Sequence, residues 1–187
     1  MDICGPESNF QCRHILSDNE LSQIADNLKK EGHKIGLVLG TYDLIHIGHG
    51  RYLEMAKKAC DFLIVAIDSD EAVKLRKGPR RPLVPEDERL EMLTHLRHVN
   101  FVTIATDFDE NGVAGYELIK NIRPNVFIVS DMNQYSEEQQ TELKKYSDKV
   151  LQLPRQAETT TSAKLRLMTL DFVEEAKKKI EELIEIM

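Results

Sequence analysis

The stretch IGLVLGTYDLIHIGHG, residues 35–50, decides the fold. It opens with a continuous apolar run, 35–39, of the kind shown by strands that are buried on both faces of a parallel sheet. Gly40 allows a tight turn at the carboxyl end of that strand, where open α/β sheets bind their ligands. His46 and His49 lie three residues apart at the start of a predicted helix. The stretch therefore predicts a strand, a turn and a helix that together form a ligand site.

Further apolar runs follow, separated by amphipathic segments of about 10 to 15 residues. The pattern predicts strands at 35–39, 62–67, 99–104, 125–129 and 149–153, and helices at 21–32, 48–59, 86–96, 116–122 and 137–146. Strands that alternate with helices form βαβ units. We therefore expect an α/β fold, a Rossmann-like parallel five-stranded sheet with helices on both faces and a C-terminal helical extension.

The predicted domain boundaries follow from the same pattern. Residues 1–16 show no periodicity and are expected to form a tail or a short edge element, and residues 17–168 form the domain. A helix from about Leu170, within 169–187, carries an apolar stripe that includes Phe172, Val173 and Ile180. This stripe packs either on the domain itself or on a second subunit, and we expect a homodimer.

Composition excludes several classes of protein. Of 187 residues, 41% are hydrophobic and 30% charged, which excludes a disordered chain, and the net charge of −7 argues against nucleic acid as a partner. No apolar run approaches the roughly 18 residues that span a bilayer, and the first residues do not resemble a signal peptide. Cys4, Cys12 and Cys60 lack a zinc-site spacing and indicate reduced thiols, so we expect a cytoplasmic protein without membrane insertion.

The two histidines suit an anionic ligand. A helix N-terminus offers N–H groups and a positive dipole to a phosphate, and imidazoles can donate hydrogen bonds to a phosphoryl group that gathers charge. The alternatives are a zinc site or a structural pair, but the spacing of His46 and His49 is not that of a helical zinc motif. His95 and His98 are also three apart and, without a supporting motif, are expected to be structural.

Four stretches in order carry a family resemblance: GTYDLIHIGH at 40–49, RYLEMAKKACDFLIVAIDSDEAV at 51–73, KLRKGPRRPLVPEDERLEMLTHLRHVNFV at 74–102 and LPRQAETTTSAKLR at 153–166. Together they resemble nucleotidylyltransferases of the cytidylyltransferase-like superfamily. The patterns of heptose-1-phosphate adenylyltransferases and glycerol-3-phosphate cytidylyltransferases are the most similar. Class I aminoacyl-tRNA synthetases share the HIGH letters, but this chain has no KMSKS-like segment.

The resemblance implies transfer of a nucleoside monophosphate from a nucleoside triphosphate to a phosphorylated small molecule. It implies catalytic roles for His46, His49, Lys77 and Arg89, with Arg89 near the acceptor phosphate. The residues that match nucleotide-binding positions are Gly40, Thr41, Tyr42, Asp43, Gly48, Asp131, Arg155, Thr160, Thr161 and Ser162. Mg²⁺ is expected with the triphosphate, held by substrate oxygens and waters, and no protein metal site is predicted.

Departures from the family pattern leave the substrates open. FIVSDMNQY at 127–135 replaces the VKGGDY of heptose-type enzymes, and only Asp131 survives. GTYD is closer to the glycerol-phosphate enzymes, whereas the leading helix and the KGP-R-P run favour the heptose type and hence ATP over CTP. The alternatives are a cytidylyltransferase acting on an alcohol phosphate such as glycerol-3-phosphate, and a nucleotide-binding module without turnover. The segment KLRKGPRR at 74–81, with five basic residues and no acidic one, is expected to lie beside the phosphates.

Overall fold

The five predicted strands form one parallel sheet in the order β3-β2-β1-β4-β5. A computed structural model describes residues 7–154, 156–157 and 161–186. The strands are β1 (Ile35–Gly40), β2 (Phe62–Asp68), β3 (Phe101–Ala105), β4 (Val126–Val129) and β5 (Lys149–Gln152). Each matches its predicted position to within about two residues, and the predicted fold class is confirmed.

Helices cover both faces of the sheet. They are α1 (Phe10–Arg13), α2 (Asp18–Lys30), α3 (Ile47–Lys57), α4 (Asp70–Lys77), α5 (Glu86–Thr94), α6 (Glu117–Ile122), α7 (Glu137–Tyr146) and α8 (Thr161–Ile186), with a 3-10 turn at Met132–Gln134. One core cluster packs α2, α6 and α7 against the sheet, and a second packs α3 and α5. Both faces of β1 are buried, because Leu37 belongs to the first cluster and Val38 to the second.

Two local predictions differ from the structure. No helix is predicted between the strand at 62–67 and the helix at 86–96, but Asp70–Lys77 forms α4, which Ser69 caps by accepting from Ala72 N. The helix expected from about Leu170 begins at Thr161. The Ser69 cap begins α4 although the apolar periodicity of this segment is weak.

Of the N-terminal segment, the structure describes residues 7–16, and α1 (Phe10–Arg13) lies beside the edge strand β3 of the sheet. His14 pairs in parallel with Val102 at the edge of β3. Arg13 is 4% exposed and donates to the carbonyls of Asn100 and Thr94 at 3.0 and 2.7 Å. Its charge is thus satisfied by the backbone of the domain.

Contacts divide the chain into two units, Met1–Gln156 and Ala157–Met187. The first contains the whole sheet. The second consists largely of α8, on which Phe172 and Ile180 are 72% and 58% exposed. Whether a second subunit covers this stripe stays a prediction. Among the described residues, no helix is both long and apolar enough to cross a membrane.

Candidate active site

The loop between β1 and α3 turns through two left-handed residues that are not glycine. Tyr42 and Leu44 have φ angles of 52° and 49°, a conformation that costs about 1–3 kcal/mol per residue and concentrates at functional sites. Gly40 itself does not adopt a positive φ. Its lack of a side chain matters because a Cβ there would lie 3.0 Å from Cε2 of Tyr42. The predicted tight turn is thus present, but Gly40 serves the close approach of a buried ring.

The two histidines begin α3 as a reciprocal cap. His46 is the N-cap residue, and its Nδ1 accepts from Gly48 N at 3.1 Å, while His49 Nδ1 accepts from His46 N at 3.3 Å. The ring centroids are 4.0 Å apart. The HxGH spacing therefore satisfies N–H groups of the first helical turn with the histidine rings themselves.

This cap fixes the tautomer of both rings. A nitrogen that accepts a backbone N–H cannot carry a proton, so each neutral imidazole carries its proton on Nε2. Burial, the neighbouring His46 and the charge of Lys77 together lower the pKa of His49 to about 4. At neutral pH His49 is therefore a neutral donor through Nε2, suited to a phosphoryl oxygen.

Three arginines near this loop are each neutralised by an aspartate. The pairs are Arg76 with Asp68, Arg81 with Asp43 at 2.8 Å, and Arg89 with Asp70 at 2.6 Å. In such a pair each charge is compensated by its partner within the protein. They leave little attraction for a substrate anion.

Lys77 differs from these arginines. It ends α4, and its Nζ donates to the Thr41 hydroxyl at 2.8 Å. In the described part of the chain it forms no salt bridge with a carboxylate. Desolvation and the nearby Arg76 lower its pKa from the ordinary lysine value, and the neighbouring Asp68 opposes that effect. Lys77 is therefore a cation whose charge remains available to an anion at the loop.

Asp43 holds the segment after α4 against the loop. Its carboxylate is 3% exposed and accepts from the Leu83 and Val84 backbone N–H groups at 3.0 and 3.1 Å, besides pairing with Arg81. These contacts serve the protein's own structure. The predicted contact of Asp43 with nucleotide stays a prediction.

Arg89 lies below the loop rather than on its surface. It is 1% exposed and donates to the carbonyls of Val84, Thr41 and Asp68 at 3.0, 2.6 and 3.0 Å, in addition to the Asp70 pair. It thus ties the carboxyl ends of β1 and β2 to the start of α5. Its predicted contact with the acceptor phosphate stays a prediction, and its burial favours a positioning role.

The remaining predicted residues are not gathered at this loop by any described contact, except for Gly48, which is buried in the first turn of α3. Asp131 is exposed, and its side chain caps the 3-10 turn by accepting from Asn133 N at 3.0 Å. Arg155 and Thr160 lie outside the described residues. Thr161 and Ser162 begin α8 in the second unit, and their side chains also lie outside the description.

Sequence reasoning missed Asp68 and Arg76, which the structure joins to Thr41. Thr41 Oγ1 donates to Asp68 Oδ2 at 2.7 Å and accepts from Arg76 Nη2 at 3.0 Å. One signal was present: Asp68 ends β2, beside β1, at the edge where ligands bind. Arg76 belongs to the basic segment 74–81, but only the helical phase of α4 shows that it points at this group.

A cavity of about 390 Å³ opens at the carboxyl end of β3. Asp18, Asp107 and Glu117 contribute carboxylates to its lining. Negative charges of this kind repel a triphosphate. The anion site is therefore better assigned to the loop at 40–49 than to this cavity.

No group of three or more histidine, cysteine or acidic side chains is arranged for a metal ion among the residues that the structure describes. The aspartates near the loop are engaged by arginines.

Comparison with known proteins gives relatives that are longer than this chain. The "Bifunctional protein HldE" of Desulfatibacillum aliphaticivorans is 39% identical over 107 residues, 57% of this chain and 21% of that protein. The HldE of Caulobacter vibrioides is 40% identical over 114 residues, 60% of this chain and 23% of that protein. The chain thus matches about a fifth to a quarter of these relatives' length.

Two solved structures share the fold. The lipopolysaccharide core biosynthesis protein from Thermoplasma volcanium GSS1 aligns with a TM-score of 0.53 at 22% identity, covering 69% of this chain and all of that one. Pantoate-beta-alanine ligase from Francisella tularensis aligns with a TM-score of 0.52 at 16% identity, covering 78% and 67%. At these identities the likeness shows the fold alone.

The family itself is shown by a broader match. The family model described as cytidylyltransferase-like matches residues 37–180, most of the chain, and its span includes the loop, the histidine cap and Lys77. Both the fold and this match agree with the resemblance carried by the sequence motifs. The chain belongs to the cytidylyltransferase-like family.

Proposed function

We propose that the protein is a nucleotidylyltransferase that transfers a nucleoside monophosphate from a nucleoside triphosphate to a phosphorylated small molecule. The observation that carries the proposal is Lys77. Its ammonium donates a hydrogen bond to a hydroxyl rather than pairing with a carboxylate. It lies beside two imidazoles that carry their protons on Nε2. Family membership supports the same activity.

The reaction requires positioning and charge stabilisation rather than a nucleophilic side chain. An acceptor phosphate oxygen attacks the α-phosphorus in line, a new P–O bond forms, and the bond to the pyrophosphate leaving group breaks. His46 and His49 donate hydrogen bonds through Nε2 to oxygens that gain charge. Lys77 reaches the phosphates while it keeps its hydrogen bond to the Thr41 hydroxyl, since an ammonium has three donor hydrogens and acts as a point charge on a flexible stem.

We further propose ATP as the donor and a sugar phosphate as the acceptor. Two sequence features support this choice over CTP and an alcohol phosphate: the leading helix, now α2, and the KGP-R-P run resemble heptose-1-phosphate adenylyltransferases. GTYD at 40–43 favours the alternative. A glycerol-3-phosphate cytidylyltransferase therefore remains the second candidate.

Three accompanying proposals concern the setting of the reaction. Mg²⁺ would enter with the triphosphate and offset its charge. A homodimer is supported by the exposed apolar side chains of α8, such as Phe172 and Val173. A cytoplasmic location is supported by Cys12 and Cys60, which are free thiols.

The test is a pyrophosphate-release assay with Mg²⁺, each of ATP, CTP, GTP and UTP, and a panel of sugar and alcohol phosphates. We expect release with ATP and a sugar phosphate, and a loss of roughly 10²–10³-fold for His49→Ala, which removes one donor. His95→Ala is the matched control, because His95 is an exposed histidine at the end of α5. Full turnover by His49→Ala would contradict the assigned site.

A nucleotide-binding module without turnover is the competing function. It is motivated by the altered segment 127–135, where Asp131 is used as a cap of the 3-10 turn. Such a module would show thermal stabilisation by a nucleoside triphosphate but no pyrophosphate with any acceptor at high protein concentration. Measurable turnover with any acceptor would exclude this competing function.

A further inference from the structure

Asp68 occupies an unusual position for an acidic residue beside an anion site. It ends β2, is 5% exposed, and its backbone carbonyl accepts from Arg89 Nη2 at 3.0 Å. Its side chain accepts from the Thr41 hydroxyl at 2.7 Å and pairs with Arg76. The carboxylate is thus held rigidly under the loop, through both its main chain and its side chain.

The contacts of the Thr41 hydroxyl determine where its hydrogen lies. A threonine hydroxyl has one hydrogen to donate and two lone pairs to accept with. Arg76 and Lys77 can only donate, at 3.0 and 2.8 Å, so the hydrogen must point to Asp68. All three positions are then occupied, and the lone pair that receives Lys77 is oriented by the bond to Asp68.

We propose that Asp68 is a positioning residue that acts through Thr41 to place the Lys77 ammonium for the transfer reaction. The inference rests on the proposed function. It assigns Asp68 a role in that function which its negative charge alone would not suggest, since an isolated carboxylate repels a triphosphate. Here Arg76 offsets that charge, and Asp68 acts through the hydroxyl it orients.

The electrostatics around Lys77 agree with this geometry. Burial lowers the pKa of Lys77, as do the charges of Arg76 and Arg81, while Asp68 and Asp43 raise it. His49 faces the same ammonium from α3, and the Lys77 charge in turn lowers the His49 pKa. Asp68 thus opposes the effect of the neighbouring cations on the Lys77 pKa.

The first experiment measures the ionisation of Lys77 directly, without substrate. The intact protein is labelled with a trace of acetic anhydride over a range of pH, and the modification of Lys77 is read by peptide mass spectrometry. We expect Asp68→Asn to shift the labelling midpoint of Lys77 to lower pH, because the carboxylate that raises its pKa is gone. Asp70→Asn is the matched control. Asp70 lies only two residues from Asp68 but pairs with Arg89, so this substitution should leave the Lys77 midpoint unchanged.

A second variant keeps the test decisive if Asp68→Asn does not fold. Thr41→Val retains the carboxylate and the side-chain shape but removes the hydroxyl that accepts from Lys77. It should also shift the Lys77 midpoint to lower pH, because the charged amine loses a hydrogen-bond acceptor. An unchanged midpoint in both variants, or an equal shift in Asp70→Asn, would overturn the inference.

Turnover gives the second readout. Asp68→Asn and Thr41→Val should each lower kcat, by up to about 100-fold if Lys77 is misplaced by about 1 Å. The double variant should lose little more than either single variant, since both act on the same contact. Fully additive losses would contradict a shared route through Lys77. If the wild-type protein has no turnover, the proposed function fails, but the labelling experiment still decides the role of Asp68.

Discussion

The role of Arg89 can be tested sharply, because the sequence and the structure give different expectations for it. The family resemblance implies a catalytic contact, whereas the structure shows a buried side chain that makes its hydrogen bonds within the protein. The perturbation is Arg89→Gln. Four hydrogen bonds are affected: to Val84 O, Thr41 O and Asp68 O and to the Asp70 carboxylate, at 3.0, 2.6, 3.0 and 2.6 Å. Glutamine is too short and too poor in donors to replace them.

The magnitude follows from burial. A group left without its hydrogen-bond donor costs about 1–3 kcal/mol, so the three carbonyls and the half-buried Asp70 carboxylate together cost about 3–5 kcal/mol, at the low end of that range. At roughly 2–4 °C of Tm per kcal/mol for a chain of this size, we expect the melting temperature to fall by about 6–20 °C. Urea unfolding should show a lower midpoint with an unchanged slope, since the surface exposed on unfolding is the same.

Arg97→Gln is the matched control for this measurement. Arg97 is exposed just beyond the same helix, and its described hydrogen bond goes to the neighbouring His98, at 3.4 Å. Its replacement should change the free energy of unfolding by no more than about 0.5 kcal/mol. The reasoning would be refuted if Arg89→Gln unfolded like Arg97→Gln while losing turnover. That result would make Arg89 a substrate contact and not a structural hub.

The other predictions concern Lys77, His49 and one loop glycine. Lys77→Gln should lower pyrophosphate release by roughly 10²–10³-fold with little change in melting temperature, since its described side-chain hydrogen bond goes to the Thr41 hydroxyl and no described carboxylate pairs with it, and retained turnover would contradict the proposed site. The pKa of His49 is lowered to about 4, so its contribution to unfolding free energy is complete above about pH 6.5 and is lost as the pH falls towards 4. His49→Gln should remove that part of the pH dependence in urea titrations, and an unchanged difference between pH 7 and pH 4 would contradict it. Gly112→Ala should destabilise the protein by more than about 1 kcal/mol, because φ is +74° and a Cβ would lie 2.2 Å from Ala72 O, whereas Gly50→Ala in open space should be neutral or stabilising. Equal melting temperatures for these two variants would argue against the close packing of the 112 loop.

The strands and most helices could be predicted because their signals are local. A buried parallel strand needs a continuous apolar run, and β1, β2 and β4 have one, with burial nearly complete along each. The helix α4 was missed because its apolar residues are few and short-range capping by Ser69 begins it. The helix predicted from about Leu170 is shorter than α8, because the polar stretch TSAK at 161–164 carries no apolar periodicity.

The candidate site was only half predictable. His46, His49, Lys77 and Thr41 are predicted because their spacing along the chain is part of a motif, and the structure brings Lys77 to Thr41 across 36 residues of sequence. Asp68 and Arg76 carry no comparable signal. Their contacts with Thr41 depend on β2 lying beside β1 and on the helical phase of α4. Neither feature can be read from the residues next to them in the sequence.

By itself, the sequence determined the order of strands and helices, the turn at 40–49 and the reciprocal cap of the two histidines, since each depends on contacts within a few residues. The tertiary structure decided which charges remain available. It pairs Arg76, Arg81 and Arg89 with aspartates and leaves Lys77 on a hydroxyl. The physical reason is that the effect of a charge depends on its distance to other charges and on its burial, and only the packing of distant segments fixes those quantities.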